Sequence, residues 1–254
     1  MSRTQALEEL FEQWRPRSIQ AAKALDFPCQ DRFIPDGIVD EGEYERGSKI
    51  LFVLIESHSP HTREECKKEE FDPLECAEQC CFFWHADSIN GTGKNKIECM
   101  DLRSRRYFTR SLLMQRIAEG GKPGDFSYNE KGELLADDFS PLKQAAFMNI
   151  NKAGGRGTST EWEKLLAYLH GNASYIHREV EIIDPKLIIC CGNVVREALG
   201  FVLREDHLGK CVKMWHPRQA QIKTKEYGGK VTDKVYAEEF HKRFTQWKGQ
   251  PPCV

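Results

Sequence analysis

The sequence has no excess of basic charge. Its 254 residues carry 37 Lys and Arg against 39 Asp and Glu, a formal net charge of −2. A chain-wide positive field is excluded, so any polyanion must be met by a local patch. No apolar run approaches the ~18 residues of a membrane helix. Met1–Leu10 is polar and acidic where a secretory signal needs an apolar centre. The expectation is a cytoplasmic protein with no membrane partner, acting as a monomer. There is also no internal repeat and no long linker, so a single domain over residues 1–254 is expected.

Cysteine is abundant, with ten residues, but no clean pair of Cys-x-x-Cys units occurs. In a reducing compartment these are free thiols or metal ligands before they are disulfides. Cys190 and Cys191 sit inside an apolar run and read as core. Cys66, Cys76, Cys80 and Cys81 fall in one polar, irregular stretch with His61 and His85 nearby, an insertion at about 61–103. Sulfur and imidazole are structural zinc ligands. A structural zinc held by those four cysteines is one expectation, and thiols without metal are the other. No cofactor is expected for catalysis.

The periodicities alternate. Residues 4–25 carry helical apolar spacing through Leu7, Leu10, Phe11 and Trp14, with Pro16 as a kink or break. Lys49–Ile55 (KILFVLI), Ala145–Asn151 (AAFMNIN) and Lys186–Cys191 (KLIICC) are continuous apolar runs, the mark of strands covered on both faces. Cys211–Trp215 is a shorter fourth strand. Helices are expected over Arg105–Ala118, about Thr160–Ile183 with an interruption near Gly171, Gly192–Leu203 and Lys234–Trp247. Four short strands alternating with helices predict an α/β fold, a three-layer α/β/α sandwich around a four-stranded parallel sheet. Ligand sites of such sheets lie beyond the carboxyl ends of the strands. Glu56–Pro60, Asn149–Gly157 and His216–Arg218 all fall at those ends.

Taken together, these segments resemble the uracil-DNA glycosylase superfamily. IIDPKLIICCGNVVREALG (182–200) is similar to its strand–Gly–helix segment. FMNINK (147–152) is similar to the strand whose Asn reads the base, and WHPR (215–218) to its His-Pro-Ser motif. FVLIESHSP (52–60) stands where the family's first, glycine-containing motif belongs. The resemblance covers about half the chain. It implies flipping of a base out of DNA and hydrolysis of its N-glycosidic bond. It assigns water positioning to Glu56, base reading to Asn149 and leaving-group stabilisation to His216. Ser57 and His58 share the first loop with Glu56, and any of the three is a candidate for holding the water. Phe83 is the candidate for stacking on the base, with Asn90 beside it.

Two departures bear on the substrate. The first motif has no glycine, and Arg218 stands where the family has Ser. An Arg there suits a phosphate. Lys152 and Arg156, which flank Gly154 and Gly155, are the other expected phosphate contacts, and Arg103, Arg105, Arg106 and Arg110 form a basic run. The partner is then DNA containing a non-standard pyrimidine. Uracil, in repair, and a modified cytosine such as the glucosylated hydroxymethylcytosine of phage DNA, in defence, both remain open. So does a rival class, a non-catalytic DNA-binding or interaction module that keeps the fold.

Overall fold

The computed structural model describes residues 1–27, 30–58, 88–89, 97, 100, 102–136, 138–155, 161–222 and 229–250. Of residues 56–58, 102–103, 154–155 and 222 it describes the backbone alone. The chain is α/β. Its strands are β1 (Gly37–Ile38), β2 (Ile50–His58), β3 (Ala145–Gly155), β4 (Leu187–Cys191), β5 (Cys211–Met214), β6 (Gln221–Ile222) and β7 (Gly229–Lys230). Its helices are α1 (Arg3–Ala24), α2 (Glu41–Arg46), α3 (Leu102–Ala118), α4 (Trp162–Ile183), α5 (Val195–Gly200), α6 (Glu205–Leu208) and α7 (Asp233–Lys248).

The main sheet has five strands in the order β1-β3-β2-β4-β5, and β6 pairs with β7 separately. β3, β2, β4 and β5 pair in parallel, whereas β1 runs antiparallel along β3. The expected all-parallel sheet of four strands is therefore corrected to a mixed sheet of five. Two residues are too few to leave a periodic signal, so β1 escapes any reading of the sequence.

Period-2 alternation explains why the apolar runs are continuous. Ile50, Phe52 and Leu54 of β2 join Phe147, Ile189, Val212 and Met214 in a core with Phe108 and Leu113 of α3 and Phe240 of α7. Leu51 and Val53 join Ala146, Met148, Ile188 and Cys190 in a second core with Phe11 and Trp14 of α1 and Leu169 and Val180 of α4. β2, β3 and β4 thus each bury both of their faces. Cys190 and Cys191 are core residues, as expected.

Neither helix is broken. α1 continues through Pro16, and α4 continues through Gly171. Gly171 lies against α1, where its carbonyl accepts from Nε of Arg17 at 2.7 Å. α4 ends at Asp184, whose left-handed backbone (φ 49°) precedes Pro185. Gly192 closes β4 with φ 139°, a conformation only glycine adopts without strain, and its N–H donates to Met214 O at 2.8 Å. A Cβ there would stand 3.3 Å from Cγ2 of Val195. Gly192→Ala is expected to cost about 1–3 kcal/mol, read as a lower midpoint in urea unfolding. An unchanged midpoint would show that the turn relaxes without cost.

Candidate active site

The parallel strands bring their carboxyl ends to one rim. Leu54 of β2 stands opposite Asn149 of β3, Glu56 opposite Asn151, and His58 opposite Gly155, with a register irregularity between Glu56 and His58. Met214 of β5 stands opposite Cys191 of β4, and His216 follows two residues later. The backbone of Glu56, Ser57 and His58 thus ends β2 on the carboxyl side of the sheet, where His216 follows β5, while Asn149 stands within β3, opposite Leu54. Phe83, Asn90, Arg156 and the cysteines Cys66, Cys76, Cys80 and Cys81 lie outside the described residues.

His216 sits in a tight turn. Its carbonyl accepts from the N–H of Gln219 at 2.9 Å, and Pro217 in the second position presets the backbone for that turn. The N–H of Arg218 donates to Nδ1 of His216 at 3.1 Å. A ring nitrogen that accepts holds a lone pair, so the neutral imidazole carries its proton on Nε2. In that form the half-buried ring offers Nε2–H as its donor.

The turn is clamped from beneath by Arg110 of α3. Its guanidinium donates to Pro217 O at 3.1 Å, Gln219 O at 2.5 Å and Val231 O at 2.6 Å. Nε pairs with Oδ1 of Asp233 at 2.9 Å, and the group lies 4.6 Å over the Tyr236 ring. The Tyr236 hydroxyl donates to Trp215 O at 2.6 Å. Burial pulls the Arg110 pKa down, and the charge of Asp233 opposes it. Arg110 is fully buried. Its place in the expected basic surface run is corrected: it is an internal clamp on the His216 turn. Arg105 is exposed and Arg106 half-buried. Arg218 is half-buried with its guanidinium 5.7 Å from the Tyr107 ring centroid.

Asn149 is 3% exposed and is held by a residue from outside every motif. Oδ2 of Asp36 accepts both its backbone N–H, at 2.5 Å, and its Nδ2–H, at 3.2 Å. Lys152 bridges Asp36 Oδ1 and Glu179 Oε1, the latter at 2.8 Å. All three charged side chains are wholly buried. The expectation that Lys152 contacts a phosphate is therefore corrected. Strand alternation turns it to the α1/α4 side, over the rings of Phe11 and Trp14 at 5.4 and 5.2 Å. Burial opposes the Lys152 charge, but Asp36 and Glu179 together hold its pKa above the ordinary value. Burial pushes the Glu179 carboxyl well up, with Lys152 pulling the other way.

Sequence reasoning missed Asp36 and Glu179. One signal was available for Lys152: residues 146, 148 and 150 of the same strand are apolar, so position 152 shares their buried face. A lysine there demands buried carboxylates. Among the described residues no group of three His, Cys, Asp or Glu side chains is arranged to hold a metal ion. No described helix is long and apolar enough to cross a membrane. Comparison with protein-family models, curated proteins and solved structures finds no match to this chain.

Proposed function

We propose that the chain is a monofunctional DNA glycosylase acting on a non-standard pyrimidine. The observation that carries this reading is that Asn149 and His216 both stand toward the carboxyl side of the parallel strands, each locked by buried groups beneath it. The chemistry needs both. As the bond from C1′ to the base breaks, the electron pair leaves with the base and is delocalised from its ring nitrogen onto an exocyclic carbonyl oxygen. The sugar becomes cation-like, and the oxygen of a water bonds to C1′ while its proton passes to the base. An imidazole that donates from Nε2 stabilises the anionic oxygen as charge develops on it. The Asn149 amide offers a donor and an acceptor to a pyrimidine edge. One of Glu56, Ser57 and His58, at the end of β2, holds the water. Arg218 and Arg156 are the phosphate contacts of this reading, and Phe83 and Asn90 line its pocket. The architecture of the reading is a three-layer α/β/α sandwich on the four parallel strands, and its compartment is the cytoplasm.

The test is incubation with duplex and single-stranded oligonucleotides carrying uracil, 5-hydroxymethylcytosine or its glucosylated form, followed by alkali. Strand breaks at one of these bases are expected, and none at any of them would sink the reading. His216→Ala is expected to lower kcat by about 10²–10³-fold, as for removal of one oxyanion donor, while DNA affinity stays within a few-fold. A variant that cleaves as the parent does would take His216 out of the chemistry.

A further inference from the structure

Asp36 precedes the edge strand β1 and lies 113 residues from the side chain it grips. Its two oxygens are divided between partners. Oδ2 takes the two donors of Asn149, and Oδ1 takes the Lys152 ammonium, which Glu179 holds from its other side. Asp36, Lys152 and Glu179 have no exposed surface, so the carboxylate has no second place to go.

The amide of an Asn has a donor end and an acceptor end, and a half-turn exchanges them. Pyrimidines exploit the same duality. A 4-oxo base presents an acceptor at position 4 and an N–H at position 3. A 4-amino base presents a donor at position 4 and a bare nitrogen at position 3. An Asn able to turn reads either. Asn149 is not able to turn: a half-turn would set Oδ1 against Oδ2 of Asp36, two acceptors face to face in a dry interior.

We propose that Asp36 is a specificity-determining positioning residue: by holding the Nδ2 end of Asn149 it fixes the amide in one of its two orientations, and so restricts the site to pyrimidines of one edge class, 4-oxo or 4-amino. For its substrate this rests on the glycosylase reading, but for the orientation of Asn149 it does not. The three buried charges then have a division of labour. Lys152 neutralises and anchors the carboxylate, and Glu179 anchors Lys152.

The experiment compares kcat/KM on oligonucleotides carrying uracil and 5-hydroxymethylcytosine for the parent, for Asp36→Asn, and for Asp36→Asn with Lys152→Met. The double variant removes the ammonium with its carboxylate and so keeps the test alive if the single variant fails to fold. In parallel, the side-chain amide signals of Asn149 are followed by NMR. The parent is expected to favour one base by roughly 10²-fold or more, the scale on which a mismatched buried polar pair discriminates. With Asn at position 36, whose own amide accommodates either end of Asn149, that ratio is expected to fall at least tenfold. The disfavoured base should gain in absolute rate, a result that mere loosening of the fold would not give. The Asn149 amide protons should lose their protection against exchange. A folded variant with an unchanged ratio and unmoved Asn149 signals overturns the proposal, as does a parent that cleaves both bases equally. If the parent cleaves none of uracil, 5-hydroxymethylcytosine and the glucosylated form, the glycosylase reading fails. The amide signals then decide on their own whether Asp36 orients Asn149.

Discussion

Arg110→Ala is expected to lower folding stability by about 3–5 kcal/mol, the scale for breaking a buried ion pair by removing one partner, and to remove the activity of the rim with it. The change leaves Asp233 without its counter-ion and the carbonyls of Pro217, Gln219 and Val231 without a donor. Among the described residues, only the Leu134 N–H, at 3.1 Å, would still donate to Asp233 Oδ2. Two of the three carbonyls belong to the turn that fixes the His216 tautomer, so the ring loses its orientation even in molecules that fold. Arg110→Lys separates the effects. A lysine keeps the charge, but its ammonium cannot reproduce the planar fork that meets four acceptors. It should recover part of the stability and little of kcat. The check is urea unfolding beside single-turnover cleavage. Full activity in the lysine variant would show that the clamp serves the fold alone.

Lys152→Met is expected to cost a similar ~3–5 kcal/mol, a fall in Tm of roughly 6–20 °C for a chain of this size. The side chain is nearly isosteric, so the loss is electrostatic. Two buried carboxyls, Asp36 and Glu179, face one another with no cation between them. The pH dependence identifies the cause. In the parent, Lys152 has a raised pKa, so its stabilisation is complete below the unfolded-state value of ~10.4 and is lost as pH rises through the higher folded value. Glu179 has the opposite consequence to an ordinary paired carboxylate. Its folded pKa is raised, so the native state holds the proton more tightly, and its contribution to stability falls as pH climbs from ~4.3 to the folded value. With Lys152 gone, nothing pulls the Glu179 pKa down. The variant should therefore regain stability on acidification from neutral pH more steeply than the parent. Parallel pH profiles would remove the buried ammonium from the account.

The sequence and the fold part company at identifiable places. β2, β3 and β4 were legible because both faces of each are covered, which turns alternation into an unbroken apolar run. α3 and α7 were legible from their apolar spacing and differ from expectation only at their ends. Asn149 and His216 were singled out because ligands of a parallel sheet bind at its strand ends, yet Asn149 stands within β3 rather than at its end. Arg110 was misplaced because charge outweighed position. It stands three residues after Tyr107 and four before Met114, both buried, which is the inner face of a helix. Asp36 left no trace, since the contact that matters joins residues 113 positions apart and no local pattern encodes it. The breaks at Pro16 and Gly171 are avoided for a shared reason. Packing of α1 against α4 through Trp14, whose Nε1 donates to Asn172 Oδ1 at 2.7 Å, outweighs the local helix-breaking preference of either residue.

The segment around β1 also bears on how the chain meets other chains. An edge strand is a template for strand addition, and with it for aggregation. Along β3, Val39 N–H takes Ala145 O, β1 pairs with Ala146 and Phe147, and Ile34 N–H takes Lys152 O at 2.7 Å. At Asn149, where the next ladder bond would fall, the Asp36 carboxylate stands in for a backbone carbonyl. The run is closed without a long partner strand. At the far edge, β5 carries an exposed Lys213 in mid-strand, and Arg243 donates to its carbonyl at 3.3 Å. Both margins of a hydrophobic sheet are thus occupied by charged side chains, which guards against fibrillar stacking. Asp36 has a part in that guard as well as in the orientation of Asn149, so its replacement should be watched for turbidity on heating.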